Sequence, residues 1–176
     1  MGSSGGKGSR FVRLSLFLLV IAILMAIPWP GFFYGLQVTH LPKARVLMTL
    51  PFVLHHPFSL SYTHSIYLAP VVESFEVEGT QVHLRGISTN HWGVVEYYGI
   101  SKAEVTRKGQ GEIWIGGINV RLPKITMMIG FIGKQRLTWG NRTYPLFSLA
   151  APGEKLKIES VSLSPGRYLW ERMRLL

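Results

Sequence analysis

The chain has 176 residues, enough for one domain of ordinary size, and 47% of them are hydrophobic and 12% aromatic. Its nine acidic residues are all Glu, and neither Asp nor Cys occurs, which excludes aspartate nucleophiles, Asp dyads, Asp-rich metal loops, disulfides and thiolate chemistry. The net charge of +10 is scattered along the chain, so nucleic acid is not an expected partner, and a lipid surface or an acidic partner accounts for the excess equally well.

Residues 1–10, MGSSGGKGSR, are rich in Gly and Ser and are expected to be disordered at the cytoplasmic N-terminus. Residues 11–30 read as a transmembrane anchor. From Leu14 to Ile27 the only polar residue is Ser15, and with Phe11, Val12 and Trp29 the stretch reaches about 19 residues, long enough for a hydrocarbon core of ~30 Å. Basic residues lie on its N-terminal side, which predicts that end inside. Trp29, Phe32, Phe33 and Tyr34 would form an aromatic belt at the far interface. The rival reading is a secretory signal; the segment MAIPWPG offers no small-x-small cleavage site. Either reading places the remainder of the chain on the extracytoplasmic side of the cytoplasmic membrane, with the anchor as a single pass.

Residues 35–165 read as an all-β domain, an antiparallel sandwich or barrel. Short β-branched and aromatic runs predict strands near 36–39, 45–50, 58–66, 71–78, 81–87, 94–98, 112–115, 118–122, 124–129, 135–139, 142–146 and 155–163. EGTQ (78–81), GGIN (116–119) and WGNR (139–142) are expected as tight hairpin turns. The adjacent His55 and His56, before Pro57, are expected in a solvated loop. Residues 166–176 form a basic amphipathic tail, short enough for one helical turn, with Leu169, Met173 and Leu176 on one side.

The stretch FSLSYTHSIYLAPVVESF carries one base, His64, and one acid, Glu73, in otherwise apolar and hydroxyl-rich surroundings. If YLAP (67–70) is a four-residue hairpin loop, alternation by two puts Leu60, Tyr62, His64, Ile66, Val71, Glu73, Phe75 and Val77 on one face, with His64 directly opposite Glu73. Opposed Cβ atoms lie about 4.5–5.5 Å apart, and a carboxylate on an apolar face must be paired or protonated. The pair is then either a polar staple that fixes the hairpin register or the floor of a pocket for a polar ligand or cation. Tyr62, Ser65, Asn90, His91 and Glu96 would surround such a pocket. Asn90, His91 and Trp92 are expected on a loop before a strand, as a recognition surface or, for Trp92, as a plug at one end of the sandwich.

Catalysis has little support. Ser65 adjoins His64, but successive strand residues point to opposite faces, and no GxSxG elbow is present. No HxH or HExxH spacing occurs, so no metal and no other cofactor is expected.

The segment FSLSYTHSIYLAPVVESFEVEG resembles a known family, the domain of unknown function numbered eighteen-fifty. The likeness is carried by Tyr62, His64, Ser65, Ile66, Pro70, Val71 and Glu73, and continues through EYYGI and KITMMIGFIGKQRLTWGNRTYPLFSLAAPGEKLKI, over roughly residues 36 to 160. The resemblance implies a small exported protein without assigned chemistry, encoded beside TAXI-type tripartite ATP-independent periplasmic (TRAP) transporters. The expected function is therefore a non-catalytic accessory module, anchored in the membrane and bound to the TRAP permease, its substrate-binding protein or membrane lipid. The alternative is a β domain that binds a small ligand or cation at His64 and Glu73.

Overall fold

The computed structural model describes residues 6–27, 31–99, 105–107 and 109–175. Helix α1 (Gly6–Ala26) leads into five long strands: β1 (Phe33–His40), β2 (Arg45–Val53), β3 (His55–Thr63), β4 (Pro70–Glu78) and β5 (Gln81–Thr89). Helix α2 (Trp92–Tyr97) follows. Six short strands come next: β6 (Val105–Arg107), β7 (Ile113–Ile115), β8 (Val120–Leu122), β9 (Ile125–Met128), β10 (Arg136–Trp139) and β11 (Arg142–Pro145). The long strand β12 (Lys155–Ser162) and helix α3 (Pro165–Met173) complete the chain.

The strands form two sheets. The first has the order β2-β1-β12-β9; the second runs β11-β10-β3-β4-β5-β7-β6, with β8 also paired to β5. The pairings are antiparallel, and the sheets are open rather than closed into a barrel. They pack face to face because each strand turns alternate apolar side chains inward. Leu36, Val38, Leu50, Phe52, Leu156 and Ile158 from one sheet meet Phe58, Leu60, Phe75, Val77, Val82 and Leu137 from the other. Leu36, Leu50, Leu60 and Leu137 are wholly enclosed.

The first sheet covers only part of the second. A separate cluster of Val71, Ile87, Ile113 and Ile115 is covered by Val94 and Val95 of α2. The residues β3 and β4 contribute between these two cores therefore have a sheet on one side and a short helix on the other.

Hydrogen bonds define the two ends of the molecule. At one end Leu163 N–H donates to Phe33 O, Gly79 N–H to Leu54 O and the Ser160 hydroxyl to Gly79 O. Helix α3 packs on β1 and β2 there, and α1 lies against α3, with Gly166 under the Met25 carbonyl. At the other end Thr63 N–H donates to Gly133 O at 2.8 Å, which ties the loop after β9 to the tip of β3.

Several expectations require correction. Among the described residues no helix is long and apolar enough to cross a membrane. Helix α1 stops at Ala26 and contains Arg13, so its apolar run, 14–26, is about 20 Å long against the ~30 Å of a hydrocarbon core. The single-pass anchor over 11–30 and the localisation deduced from it are overturned. Gly6 to Arg10, expected to be disordered, belong to α1; residues 1–5 and Trp29 lie outside the described residues. Tyr34 is a buried core residue of β1, not part of a belt. The strand expected at 94–98 is helix α2, and β6 was not anticipated. GGIN is no hairpin, because β7 and β8 both lie along β5. His55 and His56 open strand β3, where His56 stacks on Trp139 at 3.9 Å. In α3 the buried residue is Tyr168, while Leu169 and Met173 stay exposed; Leu176 lies outside the described residues. EGTQ and WGNR are the tight turns expected, with Gly79 and Gly140 at φ +56° and +58°.

Candidate functional site

The register of β3 and β4 fixes the site. Thr63 pairs with Pro70, Tyr62 with Val71, Leu60 with Glu73 and Phe58 with Phe75. Residues 64–69 form the connection, closed by His64 N–H to Ala69 O and Leu68 N–H to His64 O, each 2.8 Å, with Leu68 at φ +51°. The true pairing is four places from the expected one. Four is even, so Glu73, Tyr62, Val71 and Phe75 do share the inner face, but His64 has no strand partner and does not face Glu73.

Glu73 is bonded to two phenols instead. Tyr98 donates to Oε1 at 2.5 Å and Tyr62 at 3.1 Å, and the two phenol oxygens are themselves 2.5 Å apart. Tyr98 follows the last residue of α2, so the helix that covers the second core also delivers this donor. Burial raises the Glu73 pKa above the ordinary carboxylate range, and the two phenol hydrogen bonds partly offset it. Burial, and then the neighbouring carboxylate, push both tyrosines well above the usual phenol value, so both remain donors.

His64 anchors a second, adjoining group. Its ring stacks on Tyr67 at 5.2 Å and meets Tyr97 edge-on at 4.9 Å and 77°, while Tyr67 stacks on His91 at 4.9 Å. Gly93 makes room for this stack, since a Cβ there would lie 2.5 Å from the Tyr67 ring. His91 caps α2, its Nδ1 accepting the Gly93 N–H at 3.1 Å. His64 is buried, and its Nδ1 is enclosed without a hydrogen-bond partner. The tautomer with its proton on Nε2 leaves only a lone pair enclosed, the less costly arrangement.

His64, Tyr62, Tyr97, Met128, Phe131 and Gln135 line one cavity of about 430 Å³ at the loop end of the domain. Among the described residues no charged side chain lines it. Phe131 (85% exposed) and Ile132 give it an apolar, exposed border, and Ile66 and Leu68 of the 64–69 connection are exposed apolar residues as well. A larger cleft of about 620 Å³ lies at the opposite end, beside Tyr34, His83 and Arg121. Its ionisable groups include an exposed Glu78 at 3.9 Å from His83.

The residues expected to form one pocket therefore divide. Tyr62, His64 and Ser65 line the cavity, Ser65 as an exposed residue with no hydrogen bond to His64. Glu73 lies behind Tyr62. His91 is one ring further out, and Asn90 is exposed and outside the lining. Glu96 lines a different cleft with Trp92 and Arg107. Trp92 packs on the second core with the Arg107 guanidinium 5.1 Å above its ring. Tyr67, Tyr97, Tyr98, Phe131 and Gln135 were not anticipated. The only sequence signals for them were the doubled tyrosine in EYYG and the glycine-flanked apolar pair in GFIG.

Comparison with curated proteins finds no match, and comparison with solved structures finds none either. The family model described as Domain of unknown function (DUF1850) matches residues 58–146, a narrower stretch than the one that carried the resemblance. This stretch contains Tyr62, His64, Glu73, Tyr97, Tyr98 and the 129–134 loop, and spans just over half of the chain, which therefore belongs to that family.

Proposed function

We propose that the protein is a non-catalytic binding domain whose ligand site is the cavity over His64. The observation that carries this reading is the cavity itself. It has the size and the mainly apolar and aromatic lining of small-molecule sites, with a few polar groups placed in its wall: the His64 ring, the Tyr62 phenol and the Gln135 amide. The Glu73–Tyr62–Tyr98 cluster holds Tyr62 in place from behind. A thermal-shift screen of the full chain over small organic acids, amines and amides tests it. At least one compound should raise the melting temperature by mass action, and His64→Ala and Tyr97→Leu should abolish that rise. No shift from any compound, or a shift that survives His64→Ala, would sink the reading.

A second reading is favoured by the rim. Phe131 and Ile132 at the mouth, and Ile66 and Leu68 on the connection from β3 to β4, are exposed apolar residues, the kind of surface that a protein partner covers. A TAXI-type TRAP permease or its substrate-binding protein, the partner implied by the resemblance, is the candidate. Co-purification of that component with the native chain, lost in a Leu68→Ser/Phe131→Ser variant, is the expected result; recovery of the chain alone counts against it.

A further inference from the structure

We infer that the cavity over His64 is an aromatic cage for an alkylated ammonium group, an inference that rests on the proposed ligand-binding role. Three features of the wall select this class. First, among the described residues no charged side chain lines the cavity, so a carboxylate or phosphate ligand finds no cation among them, and a bare ammonium or a metal ion, strongly hydrated, finds no carboxylate to replace its water. Second, the lining is rich in π faces and soft atoms. Tyr62, Tyr97, Phe131 and His64 stand beside the Met128 thioether. The His64 and Tyr97 rings meet at 77°, which makes two walls of a corner. A weakly hydrated cation is attracted to such faces by the ring quadrupoles. Third, an acid, Glu73, stands behind a wall residue, hydrogen-bonded to the Tyr62 phenol. Any negative charge it carries adds to the attraction for a cation and opposes an anion. Phe131 is 85% exposed at the mouth, where an occupant would cover it. An oxygen acceptor elsewhere on the ligand would suit an Nε2–H of His64.

The test compares choline with its neutral carbon isostere, 3,3-dimethylbutan-1-ol, by isothermal titration of the full chain. The two share shape and hydroxyl group and differ in the charge. Choline is expected to bind about tenfold more tightly, the ratio that corresponds to ~1.4 kcal/mol of cation–π attraction. Tyr97→Leu and Phe131→Leu replace exposed rings, so folding is retained, and both should remove the preference for choline. Equal affinity for the two compounds would overturn the cage while leaving the ligand-binding reading intact. Absence of binding by either compound would also overturn it, and only a screen that is empty throughout would remove the ligand-binding reading as well. A choline preference that persists in both leucine variants would place the cation elsewhere and overturn the assignment.

Discussion

Replacing Tyr98 by Phe removes one hydroxyl from the part-buried cluster of Glu73, Tyr62 and Tyr98. That hydroxyl lies 2.5 Å from Glu73 Oε1 and 2.5 Å from the Tyr62 oxygen, so its loss leaves Glu73 with the single 3.1 Å bond from Tyr62. Hydrogen bonds to neutral partners contribute about 0.5–1.5 kcal/mol and those to charged ones about 1.5–3 kcal/mol. The expected cost is therefore about 1–3 kcal/mol, read as a shift of the urea midpoint at unchanged slope. The pH dependence is more specific. Burial raises the folded pKa of Glu73 above the unfolded value near 4.3, so the folded state holds its proton more tightly than the unfolded state. The stabilisation is complete below the unfolded pKa, is lost as pH rises through the folded pKa, and is flat above it. Each pH unit between the two values corresponds to about 1.4 kcal/mol. The Tyr98 bond lowers the Glu73 pKa, so Tyr98→Phe should extend the decline to higher pH. Glu73→Gln, which keeps the shape and supplies an N–H but cannot ionise, should flatten it. Urea titrations of the three proteins between pH 4 and 8 make the comparison. A Glu73→Gln curve that declines in parallel with the wild type would refute the reasoning.

Three further outcomes follow from the packing. In double-mutant cycles Tyr98→Phe with Glu73→Gln should couple by about 1 kcal/mol or more, whereas His64→Ala with Glu73→Gln should couple by less than about 0.5 kcal/mol, because those two residues are not paired; the reverse order would restore the discarded register. Gly93→Ala puts a methyl group 2.5 Å from the Tyr67 ring, so it should displace that ring from His64 and cost about 1–3 kcal/mol, visible as altered aromatic chemical shifts at His64 and His91. Leu60→Ala, at a wholly buried position in the main core, should cost about 2–5 kcal/mol by chemical denaturation; a cost below about 1 kcal/mol would mean that the two sheets do not meet there.

The inner face of β3 and β4 was legible in the sequence because alternation is local: Tyr62, Val71, Glu73 and Phe75 had to share a side once the strands were recognised. The register was not legible. Residues 64–69 contain no Gly, Asn or Asp to mark a turn, and the positive φ falls on Leu68, a residue that gives no sign of it. The partner of Glu73 was hidden for a different reason. Tyr98 arrives from 25 positions away, just after a helix of six residues, and the β-branched Val94 and Val95 in that helix imitate a strand. The N-terminal helix was recognised as helical and apolar, but its reach was overestimated by counting residues on the far side of Arg13 and beyond Ala26.

Helix α1 joins the domain beside α3 and the start of β1, whereas the His64 cavity opens where β3 ends and the 129–134 loop is tied down. The strands that separate them make these opposite poles. A label or fused carrier attached on α3, beside which Met25 of α1 lies, sits at the pole away from the cavity and leaves its mouth open to ligand.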